Sequence, residues 1–308
     1  MPSTSTPWAV ILAGGDGTRL RPLTQHLTGD ARPKQFCRLF GGPTLLDQTR
    51  QRADLVIRPD RQVVVVTQSH APYWGDLARD LLPGRLLVQP DNRGTAPAIL
   101  LAALAVRCLE GDAPVVILPS DHDIADDAGF MRAVDDALSF VIAQPETLIL
   151  LGIEPRDAET EYGWIEPVVQ ATGTVAPIRR FREKPTAALA RALLERGCLW
   201  NSFVMVGRAG AFARVIHEAA PEMAAGLNNA ASALGRPDEA AALKRAYAPL
   251  PTTGFSDLVL TRLAHRFSVM RLKDVGWCDL GNPRRALESA LRRGQEPPWR
   301  SVAASLIA

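Results

Sequence analysis

A glycine-rich stretch near the amino terminus has residue types suited to binding an anion. The sequence Ala13-Gly14-Gly15-Asp16-Gly17-Thr18-Arg19 follows an apolar run at residues 8–12 and precedes a segment that can turn helical. A glycine-rich link from strand to helix lets backbone N–H groups point at an anion, and Arg19 adds a positive charge. The third glycine of a dinucleotide fingerprint and the Gly-Lys-Ser/Thr ending of a P-loop are both missing. Alone, the stretch indicates either a phosphate cradle or a tight turn with a purely steric origin.

Lys34 is the next residue that could meet the same anion. It lies in Arg32-Pro33-Lys34-Gln35-Phe36, about one helix and its connection after the glycine stretch. Isolated lysines are usually solvated at the surface. The spacing nevertheless allows this side chain to reach back to the glycine stretch.

A polar turn and a helix start share the segment Gln89-Pro90-Asp91-Asn92-Arg93-Gly94-Thr95-Ala96-Pro97-Ala98-Ile99. In the structural interpretation, the turn residues end a strand and Thr95 caps the following helix. In the functional interpretation, Gln89, Asn92 and the backbone near Gly94 lie at the carboxyl edge of a sheet, where α/β folds bind ligands. Amide groups at that edge can recognise a base.

Acidic residues follow a buried strand in Val116-Ile117-Leu118-Pro119-Ser120-Asp121-His122-Asp123. A carboxylate at the end of a central strand suits Mg²⁺, which prefers one or two carboxylates together with phosphate oxygens. Asp121 is the preferred ligand because it comes first after the strand. Asp123 and Asp126 are instead good candidates for helix caps or loop acids.

Two downstream stretches complete the set, Phe181-Arg182-Glu183-Lys184-Pro185 and Val275-Gly276-Trp277-Cys278-Asp279-Leu280-Gly281. The first can be an exposed turn, and the second can combine core residues with a cap. Neither stretch identifies a function alone.

The elements that must position these residues alternate between strand and helix up to about residue 150, which is typical of a doubly wound parallel sheet. The predicted strands are residues 10–13, 62–67, 85–89, 115–118 and 147–152, and the predicted helices are residues 44–54, 71–82, 95–110 and 128–144.

A mixed pattern follows residue 152. Strands are predicted at residues 163–169, 175–181, 199–206 and 267–272, and helices at residues 186–196 and 283–293. The alanine-rich segment 209–246 is predicted to be helical, with breaks at Pro221 and Pro237.

The composition argues against several classes of partner. The 308 residues carry 35 basic and 33 acidic side chains, interspersed, with a formal net charge of +2, so nothing favours nucleic acid or an anionic membrane. The four cysteines form no CxxC pair, which indicates neither a zinc knuckle nor a disulfide framework. Residues 1–7 do not resemble a signal peptide, and no apolar run has membrane-spanning length. We expect a cytoplasmic protein whose partners are small molecules.

Together the stretches resemble the sugar-phosphate nucleotidyltransferases, and most closely the mannose-1-phosphate guanylyltransferases. The shared motifs, in the family's order between residues 10 and 281, are LAGGDGTRLRPLT, PKQF, DNRGTAPAI, LPSDH, YGWIEP, FREKP, WNS and GWCDLG. The resemblance implies that a sugar 1-phosphate, mannose 1-phosphate above all, attacks the α-phosphate of a nucleoside triphosphate, GTP above all. The products would be a nucleotide sugar and pyrophosphate.

The resemblance also implies the architecture. We expect an α/β fold with a doubly wound, mostly parallel, Rossmann-like mixed sheet of the nucleotide-diphospho-sugar transferase type, with extra helices and no C-terminal β-helix. One domain would span residues 8–295, with a nucleotide-binding half (8–152), a sugar-phosphate half (153–281) and a closing helix (282–295). Residues 1–7 and 296–308 would be tails.

The roles that the resemblance implies fall into three groups. Arg19, Lys34, Asp121 and Asp279 would be catalytic, and the two aspartates would hold Mg²⁺ from opposite sides of the cleft. The nucleotide would be bound by Ala13, Gly14, Gly15, Gly17, Thr18, Gln89, Asn92, Gly94 and Thr95. The sugar phosphate would be bound by the backbone of Gly163, the Glu183 carboxylate, the Lys184 ammonium and the Asn201 amide.

Departures from the family pattern leave the sugar less well defined than the nucleotidyl transfer. Arg21 and Arg32 replace aromatic residues, Phe203 stands near a position where glycine often occurs, and Asn282-Pro283 replaces Ser-Trp. The alternatives are therefore the same reaction with another nucleotide or sugar 1-phosphate, such as glucose 1-phosphate, or a non-catalytic regulatory homologue that binds nucleotide sugars. A homodimer is also compatible with the sequence.

Overall fold

The computed structural model describes residues 6–168 and 174–307. Within these ranges, nine strands form one sheet: β1 (Trp8–Leu12), β2 (Gln62–Thr67), β3 (Leu86–Gln89), β4 (Pro114–Pro119), β5 (Leu148–Ile153), β6 (Trp164–Pro167), β7 (Val175–Arg182), β8 (Leu199–Arg208) and β9 (Phe267–Leu272).

Helices connect and cover the strands. They are α1 (Arg21–Thr28), α2 (Leu45–Ala53), α3 (Ala71–Trp74), α4 (Leu77–Asp80), α5 (Thr95–Glu110), α6 (Asp127–Ala143), α7 (Ala187–Glu195), α8 (Ala209–Ala219), α9 (Pro221–Ala231), α10 (Glu239–Tyr247), α11 (Thr261–Leu263), α12 (Pro283–Arg292) and α13 (Arg300–Ile307). A 3-10 turn at Lys34–Phe36 and a π-helical turn at Ser256–Leu260 also bear on the site.

The sheet order is β3-β2-β1-β4-β8-β5-β9-β7-β6, with a further pairing of β8 and β6. The first four strands in this order are parallel, as are β5 and β9, whereas β8 runs antiparallel to both β4 and β5. This mixed, mostly parallel sheet with helices on both faces confirms the predicted fold class. Because β1 to β4 are parallel, their carboxyl ends meet at one edge, where α/β folds bind ligands.

Alternating side chains of the central strands build a core on each face of the sheet. In β1, Val10 packs with residues of α5, α8, α9 and α10, whereas Ala9 and Ile11 pack on the other face with residues of α2, α6 and α7. All six residues of β2 and all six of β4 are buried. Continuous apolar strands of this kind need covering on both sides.

A third apolar cluster joins the two ends of the chain. Leu20 and Leu23 near α1 pack with Ala286 of α12, Trp299 and Ala303 of α13. The Trp299 indole Nε1–H also donates to the Leu39 carbonyl at 2.8 Å. Residues 296–308 are predicted from the sequence to be a tail, whereas 300–307 form a helix that packs through Ala303. Trp299 and Ala303 supply the apolar contacts that hold this helix in place.

The observed boundaries of the elements agree closely with the predicted ones in the central sheet and differ from them elsewhere. The strands at residues 62–67 and 267–272 and the helix at 95–110 lie where predicted. The single helix predicted at 71–82 is instead two short helices, α3 and α4, and the break contains Gly75, a weak helix former. Val169, the end of one predicted strand, lies outside the described residues.

The alanine-rich segment is helical with interruptions. Pro221 begins α9, as a proline at the first helical position can, and Pro237 lies in the connection before α10. Among the described residues, no helix is both long and apolar enough to span a membrane.

Candidate active site

The glycine stretch is anchored from the protein side through its carbonyl groups. The Gln35 amide Nε2–H donates to the carbonyls of Ala13, at 2.9 Å, and Gly15, at 2.8 Å. The Thr67 hydroxyl donates to the Gly14 carbonyl at 3.1 Å. Neutral hydrogen bonds thus fix the inner side of the loop, while Gly15 remains exposed on the outer side. An anion can approach the backbone there.

Two of these glycines are required by their surroundings. A Cβ on Gly14 would lie 2.8 Å from both Gln89 Nε2 and Thr67 Oγ1. Gly17 has φ +56° and begins the turn containing Thr18 and Arg19. Both sites therefore disfavour a side chain. At Gly15, in contrast, a Cβ would have no atom within 4 Å, so a tight turn does not by itself require glycine there.

Asp16 connects the glycine stretch to the segment after β3. Its carboxylate accepts from the Asn92 amide at 2.8 Å and lies 3.0 Å from His70 Nε2. The Asn92 side-chain carbonyl in turn accepts from the Gly94 N–H at 3.1 Å. Asp16, which has no predicted role, thereby holds two predicted nucleotide-binding segments together.

The segment from β3 to α5 packs against a late part of the chain. Gln89 is buried, and its Oε1 accepts from the Tyr247 hydroxyl at 3.2 Å. Gly94 has φ +85°, and a Cβ there would lie 2.2 Å from the Thr253 carbonyl oxygen. Gly94 occupies the cap position of α5, so the prediction that Thr95 caps this helix is wrong; the Thr95 hydroxyl instead accepts from the Phe255 N–H at 2.8 Å.

Lys34 connects the 3-10 turn after α1 to the segments that follow β4 and β9. Its buried ammonium donates to the Asp279 carbonyl at 2.6 Å and the Leu280 carbonyl at 3.1 Å. The same Nζ lies 3.3 Å from Asp121 Oδ2. The structure therefore brings together three of the four predicted catalytic residues, from segments that are far apart in the chain.

Opposing effects set the charge of Asp121. Burial raises its carboxyl pKa, but the charge of Lys34 and its hydrogen bond outweigh burial, so the pKa lies below its usual range. Burial also lowers the pKa of His122, which favours the neutral imidazole. Its Nδ1 accepts from the Trp277 indole N–H at 3.3 Å. At neutral pH, Asp121 is an anion beside a buried cation.

Asp126 and Asp123, each predicted to be a helix cap or a loop acid, have different roles. Asp126 caps α6 by accepting from the Gly129 N–H at 2.8 Å, as predicted. Asp123 is not a cap; its buried carboxylate contacts the Ser289 hydroxyl and the Arg293 guanidinium.

The Asp279 carboxylate has several donors of its own. Its Oδ1 accepts from the Tyr162 hydroxyl and the Gly281 N–H, each at 3.0 Å. The Arg285 guanidinium lies 3.2 Å from Oδ1 and 3.1 Å from Oδ2. Asp279 is thus fixed in orientation, and Arg285 is the only described donor to its Oδ2.

Arg285 also binds two glutamates of the β5–β6 connection. Its Nη2 lies 2.6 Å from Glu159 Oε2 and 3.0 Å from Glu161 Oε2. Burial lowers the pKa of Arg285, but Asp279 and Tyr162 outweigh this, so the pKa lies above its usual range. A buried, permanently charged guanidinium therefore holds three carboxylates on this wall of the cleft.

Arg19 reaches the same wall. Its Nη1 lies 3.1 Å from Glu161 Oε2, and both side chains are about half exposed. The fourth predicted catalytic residue therefore contacts an acidic residue that the sequence analysis did not single out.

Three of the predicted sugar-binding residues lie together. A Cβ on Gly163 would lie 3.0 Å from Glu183 Oε2 and 2.5 Å from the Phe181 ring. The Gly163 carbonyl accepts from the Asn201 N–H at 2.8 Å. Burial raises the pKa of Glu183; Lys184 opposes this change and Asp257 adds to it.

Three residues other than glycine that belong to the predicted site motifs or directly follow them have positive φ angles. They are Lys184 (φ 41°), which is exposed, Phe203 (φ 61°) and Leu280 (φ 49°). Such backbone strain persists where the surrounding structure imposes it, and it is often found at functional sites.

The Asp121 and Asp279 carboxylates fit a magnesium ion better than a metal that needs a full protein cage. Among the described residues, no cluster of three or more His, Cys, Asp or Glu side chains is arranged to hold a metal. Mg²⁺ requires only one or two carboxylates when phosphate oxygens complete its shell. Asp279 Oδ2, with one donor, and Asp121, with one close cation, are compatible with that role.

Sequence reasoning missed several residues of the site for two reasons. Asp16 and Gln35 lie inside the quoted motifs, so their polar side chains were a usable signal. Glu159, Glu161 and Arg285 have no local signal, because only the folded chain brings them together.

Comparisons with known proteins identify the family of this chain. The nucleotidyl transferase family profile matches residues 8–295. The xanthan biosynthesis protein XanB of Xanthomonas campestris pv. campestris (strain ATCC 33913) is 33% identical over 290 residues, covering 93% of this chain and 60% of XanB. The mannose-1-phosphate guanylyltransferase of Escherichia coli K12 is 32% identical, covering 89% of this chain and 58% of that protein.

A solved structure is similar over nearly the whole chain. The crystal structure of mannose-1-phosphate geranyltransferase from Thermus thermophilus superposes with a TM-score of 0.79 at 31% identity, covering 95% of this chain and 80% of that one. The chain spans about three fifths of the length of the two curated relatives.

Proposed function

We propose that this chain, which belongs to the nucleotidyl transferase family, transfers a guanylyl group from GTP to mannose 1-phosphate and releases pyrophosphate. The observation that carries the proposal is the position of Lys34. Its ammonium lies between the Asp121 carboxylate and the backbone at Asp279, at the centre of the cleft. A buried cation between two acidic segments suits a reaction in which phosphate charge must be neutralised.

The proposed reaction requires positioning more than covalent chemistry. A phosphate oxygen of the sugar 1-phosphate attacks the α-phosphorus of the triphosphate, and the bond from that phosphorus to the bridging oxygen of pyrophosphate breaks. The attacking oxygen is already anionic, so no general base is needed. Alignment of the substrates and neutralisation of charge supply most of the rate enhancement in such transfers.

The nucleotide side is assigned to the glycine stretch and the segment after β3. The outer surface of Ala13, Gly14, Gly15, Gly17 and Thr18 would receive the triphosphate, with Arg19 and Lys34 on its charge. Support comes from the carbonyls of this stretch, which Gln35 and Thr67 hold on the protein side.

The base would lie near the polar turn before α5. The residues assigned to it are Gln89, Asn92, Gly94 and Thr95. Because the Gln89 side chain is buried and hydrogen-bonded to Tyr247, its proposed role is to support the residues around the base.

The sugar side is assigned to the group around Gly163. The Gly163 backbone, the Glu183 carboxylate and the Asn201 amide would bind sugar hydroxyls, and the exposed Lys184 would meet the sugar phosphate. A partly buried carboxylate discriminates well, because a sugar lacking the matching hydroxyl leaves that charge unpaired.

Magnesium is the proposed cofactor, held by Asp121 and Asp279. When bound, it would screen the charge of the triphosphate and of the departing pyrophosphate. Lys34 keeps the Asp121 carboxylate ionised for this purpose, and Tyr162 with Arg285 keeps the Asp279 carboxylate in one orientation.

Pyrophosphate release by the purified protein tests the proposal. With Mg²⁺, four nucleoside triphosphates are each combined with mannose 1-phosphate and with glucose 1-phosphate. We expect release to be fastest with GTP and mannose 1-phosphate. Faster release with another pair would replace the substrate assignment, and no release from any pair would favour the non-catalytic, regulatory alternative.

A further inference from the structure

Glu161 Oε2 is shared by two guanidinium groups. Arg19 Nη1 approaches this oxygen to 3.1 Å and Arg285 Nη2 approaches it to 3.0 Å. One arginine comes from the proposed triphosphate loop and the other from α12. A single carboxylate oxygen therefore links the two walls of the cleft.

The two arginines differ in how firmly they are held. The Arg285 side chain is 6% exposed, lies 4.4 Å from the centre of the Tyr162 ring and contacts three carboxylates. The Arg19 side chain is 53% exposed, and Glu161 is its one described ionic partner. Arg19 can leave Glu161 at a small cost, because half-exposed ion pairs contribute little to stability. Arg285 cannot leave without stranding buried charge.

The surroundings keep Glu161 on Arg285. The Glu161 N–H donates to Glu159 Oε1 at 2.9 Å, and Glu159 Oε2 lies 2.6 Å from the same Arg285 Nη2. On the other side, a Cβ on Gly281 would lie 2.8 Å from Arg285 Nη1. The guanidinium therefore fills a space bounded by backbone and acids.

We propose that Glu161 competes with the triphosphate for Arg19, and that Arg285 retains Glu161 once Arg19 has moved to the phosphates. This inference rests on the proposed function, which assigns Arg19 to the triphosphate. Glu161 needs no new partner after the exchange, since the same oxygen already contacts Arg285. Glu161 thus lowers the affinity of the protein for the nucleotide.

Calorimetric titration with GTP and Mg²⁺, without sugar phosphate, tests the competition. Glu161→Gln removes the competing charge, so we expect the Kd for GTP to fall about two- to fivefold, the size typical of a half-exposed ion pair. The difference should shrink as ionic strength rises from about 0.05 to 0.5 M, because exposed charges are screened. An unchanged or higher Kd would overturn the proposal.

A matched control is available in the Glu218–Arg266 pair. Its distance is also 3.1 Å, and its side chains are 40% and 55% exposed. It joins α8 to the segment before β9, away from the cleft. Glu218→Gln should leave the Kd for GTP unchanged; a decrease like that of Glu161→Gln would mean that loss of any surface carboxylate strengthens binding, which contradicts the exchange.

A double-mutant cycle tests the part played by Arg285. Arg285→Lys keeps a positive charge but loses the fork that reaches several carboxylates, so Glu161 should hold Arg19 more strongly and the Kd for GTP should rise about two- to fivefold. In the Glu161→Gln background, the same change should raise the Kd by a smaller factor, and what remains reports the contact of Arg285 with Asp279. An equal effect in both backgrounds would show that Arg285 acts on binding by another route.

Inorganic tripolyphosphate separates this inference from the proposed function. If it binds more tightly to Glu161→Gln than to the unsubstituted protein while GTP binds to neither, the exchange holds and the guanylyl assignment fails. If both probes bind and neither distinguishes the variants, the exchange fails alone. If neither probe binds, both proposals fail.

Discussion

The glycine-loop side of the cleft is held by neutral hydrogen bonds, whereas the opposite side is held by ion pairs. Gln35 and Thr67 bind backbone carbonyls of the loop. Across the cleft, the Arg285 guanidinium binds Asp279, Glu159 and Glu161. Neutral contacts keep their strength over a wide range of salt and pH, but an ion-pair cluster depends on every partner. Substitutions on the two sides should therefore have different effects on stability and activity.

The largest effect is expected where the two sides meet. Asp121→Asn removes a proposed metal ligand and leaves the buried Lys34 ammonium without its carboxylate partner, so kcat of the folded protein should fall at least about a hundredfold and the unfolding temperature should also fall. Asp126→Asn is the matched control, because asparagine can also cap α6. Near-normal turnover of Asp121→Asn at saturating Mg²⁺ would remove Asp121 from the metal site.

The second largest effect is expected on the side held by neutral hydrogen bonds, where the room for a Cβ differs between two glycines. Gly94→Ala would bring a Cβ within 2.2 Å of the Thr253 carbonyl at φ +85°, so the free energy of unfolding should fall by at least about 2 kcal/mol. At Gly15 a Cβ would meet open space, so the free energy of unfolding of Gly15→Ala should lie within about 0.5 kcal/mol of that of the unsubstituted protein. It should weaken GTP binding instead. Chemical denaturation with parallel GTP titration separates the two outcomes, and equal stability losses would contradict the distinction.

In the proposed sugar-binding group around Gly163, Lys184 carries both a charge and backbone strain. Lys184→Ala should raise the KM for the sugar phosphate about tenfold, or about 1.4 kcal/mol, with little effect on GTP binding. Lys184→Gly should raise KM as much as Lys184→Ala does. It should unfold at a higher temperature than Lys184→Ala, because glycine accepts φ 41° without strain. A change confined to GTP binding would show that the division of the cleft is wrong.

The smallest expected effect concerns the pH dependence of sugar binding. Burial raises the pKa of Glu183, and Asp257 adds to the shift. The proposed hydroxyl acceptor is the ionised carboxylate, so the KM for the sugar phosphate should rise as pH falls through this raised pKa. Asp257→Asn should lower the pKa and move that rise to more acidic pH. A KM profile unaffected by Asp257→Asn would separate Glu183 from sugar binding.

The part of the fold that follows from local pattern is the parallel half of the sheet. A run such as Val63 to Val66 is apolar on both faces and short, which specifies a covered strand. The placement of Asp121 directly after β4 then follows from the rule that parallel strands end at one edge. Family motifs supplied the remaining predicted site residues.

The ion-pair cluster of Arg285 with Asp279, Glu159 and Glu161 could not be predicted in this way. Arginines and glutamates occur throughout the sequence, and nothing near Arg285 indicates that its partners follow β5. The helix at residues 300–307 is similar, because its position depends on where Trp299 and Ala303 find apolar contacts. Such features are set by tertiary packing and not by periodicity.

The most direct test of the central claim follows the α-phosphate itself. GTP labelled at that phosphorus is incubated with mannose 1-phosphate, Mg²⁺ and either the unsubstituted protein or Lys34→Met. We expect the label to pass into a nucleotide sugar with an equal amount of pyrophosphate, at a rate at least about a hundredfold lower in Lys34→Met. Label that stays in GTP, or that is transferred equally fast by Lys34→Met, would contradict the account.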